Sequence, residues 1–175
     1  VVVRESGRLP VLLQTASRAV HLGEIEVRER ERRDDASPPA TRLDVRFGDG
    51  IRLVGATVAG RGGAVLPLGK LEREMDVDLI WRAEAPVEED LAVFVHLVGA
   101  DGRPVAQHDG RPANGAAPTR GWRPGETVID RHRLVLPPEL AGDFAIVVGL
   151  YRPPAGPRLP AASGESVVVH RGGLP

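Results

Sequence analysis

The sequence predicts an all-β fold: an antiparallel β-sandwich, immunoglobulin-like or jelly-roll-like, with seven to nine strands and little or no helix. Three observations predict it. "KLEREMDVDLIWRA" alternates with period two, which is the side-chain period of a strand with one wet face. "LAVFVHLV" (91–98) and "AGDFAIVVGLY" (141–151) are apolar on both faces, as central strands are. The 21 Gly and 16 Pro are dispersed along the chain, punctuating it at the spacing of short strands joined by turns.

At the N-terminus, "VVVRESGRLP" followed by "GEIEVRE" is similar to "VVGLYRPPAGPRLP" followed by "GESVVVHR" near the C-terminus. Residues 1–30 therefore read either as terminal strands of a preceding sandwich copy or as extra N-terminal strands of this one. Residues 31–41, charged and then Pro-rich, read as a linker. The main sandwich is expected over 42–171, starting near Thr41.

Within it, "IRLVGATVAG" (51–60) is a strand in which Gly55 marks a bulge or a close backbone approach. In the next strand Leu71, Met75, Val77, Leu79 and Trp81 point one way, with Arg73 among them. Glu72, Glu74, Asp76 and Asp78 point the other way and read as a solvated face rather than an acidic metal patch. "ETVIDRHRLVLPP" alternates less cleanly and stops at Pro137-Pro138, which cannot donate to a ladder. "SVVVHR" (166–171) is the last strand. Turns are expected at Gly48–Gly50, Gly99–Gly102, Pro124-Gly125, Pro137-Pro138 and Pro153–Gly156.

"FVHLVGADGRPVAQHDG" (94–110) concentrates His96, His108, Asp101 and Asp109, and invites a reading as a metal or acid–base site. Asp101-Gly102 between apolar runs predicts a hairpin with a two-residue type I′ turn. That register pairs Val98 with Val105, His96 with Gln107 and Val95 with His108. Neighbours along a strand alternate faces, so His96 and His108 fall on opposite faces and do not share a metal. His96 reads as a hydrogen-bonded sheet histidine, and the Asp109 carboxylate as a cap on the following turn. Asp130 and His132 share a face with Val128, Leu134 and Leu136, a pair able to orient a catalytic water but without an indicated third ligand.

The formal net charge of −1 excludes the basic footprint of a nucleic-acid binder. With no cysteine, disulfide and thiol chemistry are excluded. No run reaches the 18 or more apolar residues of a membrane span. The chain begins "VVVRESG" without a Met and reads as a processed or excised fragment. Esterase-elbow, zinc-protease, phosphate-loop and calcium-loop motifs are all missing, so no catalytic residue, metal or cofactor is expected.

Taken together, "VRFGDGIRLVG", "LIWRAEAPVEEDLAVFVHLVGADGRPVAQHDG", "GWRPGETVIDRHRLVLPP" and "GDFAIVVGLYRPPAGPRL" resemble a known module. It is the β-sandwich region C-terminal to the membrane part of bacterial glycosyltransferases of the dolichyl-phosphate-mannose–protein mannosyltransferase type. The resemblance covers residues 42 to about 160 in order. It departs at Ala56, where an aromatic is usual, and before Lys70, where a Pro-Gly-Asp turn is usual. It implies an extracytoplasmic, non-catalytic accessory domain of a cell-envelope or glycan-assembly protein. No catalytic residue carries over, since those belong to the membrane part.

Three functions follow as expectations. The first is a non-catalytic accessory module whose partners are neighbouring domains, or copies of itself met through edge strands. The second is a carbohydrate-binding module on the 110–123 loop. There Trp122 is the best candidate for an exposed stacking platform, fringed by Asp109, Asn114 and Arg120, although its indole reads more readily as a lid over the sandwich edge. The third is a small hydrolase or metalloenzyme in which His96, His108, Asp130 and His132 converge. Trp81, Phe94 and Phe144 are assigned to the core.

Overall fold

A computed structural model describes residues 7–15, 18–27, 38–61, 73–162 and 164–174. The chain divides into two compact units, Val1–Glu31 and Arg32–Pro175. The first contains one antiparallel hairpin, β1 (Gly7–Thr15) and β2 (Arg18–Val27), which pairs Leu9 with Ile25 and Leu13 with Val20. Arg8-Leu9-Pro10 lies inside β1, whereas the similar Arg158-Leu159-Pro160 lies in a connection between strands. The two stretches thus share sequence without sharing local structure.

The second unit is the all-β sandwich, built from two antiparallel four-stranded sheets. One sheet contains β3 (Thr41–Phe47), β4 (Ile51–Arg61), β5 (Arg73–Ala83) and β8 (Thr127–Leu136), in the order β3-β4-β5-β8. The other contains β6 (Ala92–Gly99), β7 (Pro104–Gly110), β9 (Gly142–Tyr151) and β10 (Val167–Leu174), in the order β10-β9-β6-β7. The eight strands fall within the expected range. The two apolar runs are central: β6 lies between β9 and β7, and β9 between β10 and β6.

Alternation decides what each sheet presents to the other. On β5, Met75, Val77, Leu79, Trp81 and Ala83 are buried, while Glu74, Asp76 and Asp78 are only partly covered. They meet Val93, Val95 and Leu97 of β6 and Ile146, Val148 and Leu150 of β9 in one apolar core. Each such side chain stabilises the fold by about 1.5–3 kcal/mol relative to an exposed one. Phe47 packs edge-on against Trp81 at 5.6 Å, which closes one end.

Gly55 satisfies both readings of it. The β4–β5 register shifts between Leu53 and Gly55, and a Cβ there would collide with Pro39 Cγ. Phe94 is buried as assigned, with a refinement of its face. Parity places it on the outer face of its sheet, apart from the inter-sheet core. Gly149 makes room for its ring, and the Arg158 guanidinium covers it at 4.4 Å.

The hairpin turn also differs from expectation. Gly102 N–H donates to Gly99 O at 2.9 Å, Gly99 N–H donates to Arg103 O at 3.0 Å, and Gly102 has φ 76°. This is a three-residue loop ending in a left-handed glycine, not a two-residue type I′ turn. Val98 therefore faces Pro104 rather than Val105. A register shift between Leu97 and Val98 absorbs the odd residue, so His96↔Gln107 and Val95↔His108 pair as predicted.

Candidate polar relay at the β7–β8 edge

Of the four residues expected to bind a ligand, three engage three different partners. Trp122 is 2% exposed, and its indole N–H donates to Ala117 O at 2.9 Å. It is a lid on the core, the reading set against the stacking platform for this indole, so the carbohydrate-binding alternative loses its platform. The loop holds it there because Thr119, wholly buried, is pinned: its hydroxyl donates to Glu89 O and accepts from Leu91 N–H. Arg120 is exposed and donates to Glu88 O at 3.0 Å. Asp109 does not cap a turn. It lies on the outer face beside His96, whose Nε2 is 3.1 Å from its carboxylate. Asn114 lines a cleft of about 590 Å³ beside β8.

That cleft leads to a polar chain inside the sandwich. Of the five inward positions on β8, Asp130 and His132 occupy two, between Val128 and Leu134. Both side chains are 1% exposed. A buried carboxylate is costly unless its lone pairs are filled. Here Asp130 accepts from His132 Nε2 at 2.8 Å, from Ala113 N–H at 2.8 Å and from Trp81 Nε1–H at 3.4 Å. The other nitrogen of His132, Nδ1, faces His108 Nδ1 at 2.8 Å. His108 is inward on the edge strand β7, as parity requires, and reaches across to the other sheet.

The sequence identified the pair Asp130–His132, and named His108 and His96 with it only as the condition of a small hydrolase or metalloenzyme. The structure brings together His108, Asp130 and His132, and it leaves His96 on the opposite face. The signal was present in the parities of β7 and β8, each of which turns its histidine inward. What the sequence did not show is that these two edges abut.

A strained loop feeds the relay. Ala113 and Asn114 both have φ 53°, left-handed values that cost a non-glycine residue, and Gly115 continues at 84°. The Ala113 N–H aimed at Asp130 helps to hold that conformation. The arrangement is linear, a chain of donors and acceptors. Among the described residues, no group of three or more His, Cys, Asp or Glu side chains is placed to hold a metal ion.

Burial first, and then the neighbouring His132, holds the His108 imidazole below its usual value; Asp130 and Asp109 oppose the shift. On the outer surface, the hydrogen bond from Arg52 holds the Glu84 carboxyl below the usual range, and Arg152 does the same to Glu89. Among the described residues no helix is long and apolar enough to cross a membrane. Comparisons of the chain with protein-family models, curated proteins and solved structures return no match.

Proposed function

We propose that this chain is a non-catalytic β-sandwich accessory module of a larger cell-envelope or glycan-assembly protein. It is extracytoplasmic, and it works through structural or protein contact. The observation that carries the reading is the β1–β2 hairpin, which forms a compact unit of its own. A two-stranded hairpin is marginal in water and gains stability by adding to a further sheet or packing on one. A neighbouring domain or a second copy of the chain supplies that surface. The resemblance of residues 42 to 160 to glycosyltransferase-associated sandwiches supports the extracytoplasmic placement.

Light scattering over a concentration series, paired with hydrogen exchange of residues 7–27, tests the contact role. Association with rising protection of 7–27, lost in Ile25→Pro, is the expected result. A monomer at every concentration, with 7–27 exchanging at a fixed rate, counts against contact through this hairpin.

A second reading, carbohydrate binding at the 110–123 loop, is favoured by Asn114 lining a cleft walled by Asp76, Asp78 and Arg131. Calorimetric titration with oligosaccharides, repeated on Asn114→Ala, tests it. Loss of a saturable heat in the variant supports this reading, and no heat from the unaltered chain removes it.

A further inference from the structure

The His108–His132–Asp130 chain has chemistry that an accessory module does not require. A carboxylate only accepts, so the hydrogen between His132 and Asp130 sits on His132 Nε2. With His132 neutral, its Nδ1 is a lone pair, and the hydrogen in the 2.8 Å histidine–histidine contact belongs to His108 Nδ1. His108 Nε2 is then a lone pair as well. His108 lines the cleft together with Asn114, Arg131 and Arg133. His108 is only partly buried on β7.

We propose that His108 is a nucleophilic histidine, with Nε2 open to the cleft and backed by His132 and Asp130, fitted to attack an electrophilic acyl group. Nε2 adds to the acyl carbon, and the bond from that carbon to its leaving oxygen breaks. The Nδ1 hydrogen passes to His132 Nδ1 as the N–C bond forms. The product on His108 is a neutral acyl-imidazole rather than an acyl-imidazolium. The positive charge rests on His132, hydrogen-bonded through Nε2–H to the Asp130 carboxylate. The leaving oxygen takes its proton from water. An isolated surface imidazole has only solvent to take its second hydrogen.

Other groups around His108 set its charge. Asp130 and His132 reach it from β8, Asp109 lies next to it on its own strand, and Asp76, Asp78, Arg131 and Arg133 line the cleft. The net displacement is downward from 6.5, so the nucleophilic neutral form persists to lower pH than in a free imidazole.

The test is carbethoxylation of the full chain by diethyl pyrocarbonate, mapped by mass spectrometry, with N-acetylhistidine in the same tube as reference. His108 is expected to react faster than the reference at pH 7, with most of that surplus lost in Asp130→Asn and His132→Gln. Its pH midpoint is expected below 6.5. The midpoint is read on the unaltered chain and does not depend on either variant folding. Nitrogen-15 spectra of the unaltered chain are expected to show His108 protonated at Nδ1. Reaction no faster than the reference, a surplus unchanged in both folded variants, or a hydrogen on His108 Nε2 overturns the proposal.

Discussion

His108 of β7 and His132 of β8 meet nitrogen to nitrogen at 2.8 Å, joining the edges of two sheets that share no backbone ladder. The contact accommodates one hydrogen between the two rings, not two. Protonation of the pair therefore bears directly on how firmly β7 and β8 hold together.

Because burial depresses the folded-state value of His108, the unfolded chain binds a proton first as pH falls below 6.5. More protons on the unfolded state means stability rises with pH in this window. Stability is thus highest above 6.5 and declines as pH falls toward the depressed folded value. Urea midpoints at pH 7.5 and 5.5 measure it, and His108→Gln is expected to shrink the difference between them.

Asp130→Ala leaves three N–H donors, from Ala113, Trp81 and His132, facing a void. Each unpaired buried group costs about 1–3 kcal/mol, so the variant is expected to lose about 3 kcal/mol or more. Asp130→Asn keeps one acceptor oxygen and is expected to lose less. Equilibrium unfolding of the two variants side by side checks the order.

Gly149→Ala drives a methyl into Phe94 Cζ and to 2.8 Å from Glu165 O. The Phe94 ring must move, and with it the Arg158 guanidinium stacked on it. Overpacking of this kind costs about 1–3 kcal/mol. Thermal unfolding measures the loss, and Phe94→Leu in the same chain is expected to recover part of it.

Trp81 is wholly buried and Trp122 nearly so, both in the second unit. Tryptophan emission of the native chain is expected to be blue-shifted and poorly quenched by iodide, with both properties lost on unfolding. Trp122→Ala removes a core side chain and is expected to cost about 3–5 kcal/mol. Emission already open to iodide in the native chain would contradict the placement of Trp122.

Much of this architecture could be read before folding. Period-two alternation assigned the faces of β5, unbroken apolar runs marked β6 and β9 as central, and Gly55 was recognised at the point where Pro39 crowds the strand. The hairpin register survived a wrong turn type because the β-bulge compensated for the odd loop residue. Trp122 could be read along the sequence either as a lid over the sandwich edge or as an exposed platform, because a long Gly- and Pro-rich loop precedes it, and burial bears out the lid. That loop forms two 3₁₀ turns, Pro112–Gly115 and Thr119–Gly121, that fold the indole inward.

The sequence by itself determined which strands form and which face each residue takes, since both follow from side-chain periodicity along a single segment. Only the tertiary structure decided that β7 and β8 lie side by side across the two sheets. Without that approach, Asp130 and His132 are a pair without a third member, and His108 is an inward histidine without a partner. Periodicity is local to a strand, whereas adjacency of two sheet edges depends on how the whole core closes, through the packing of residues far apart in the chain.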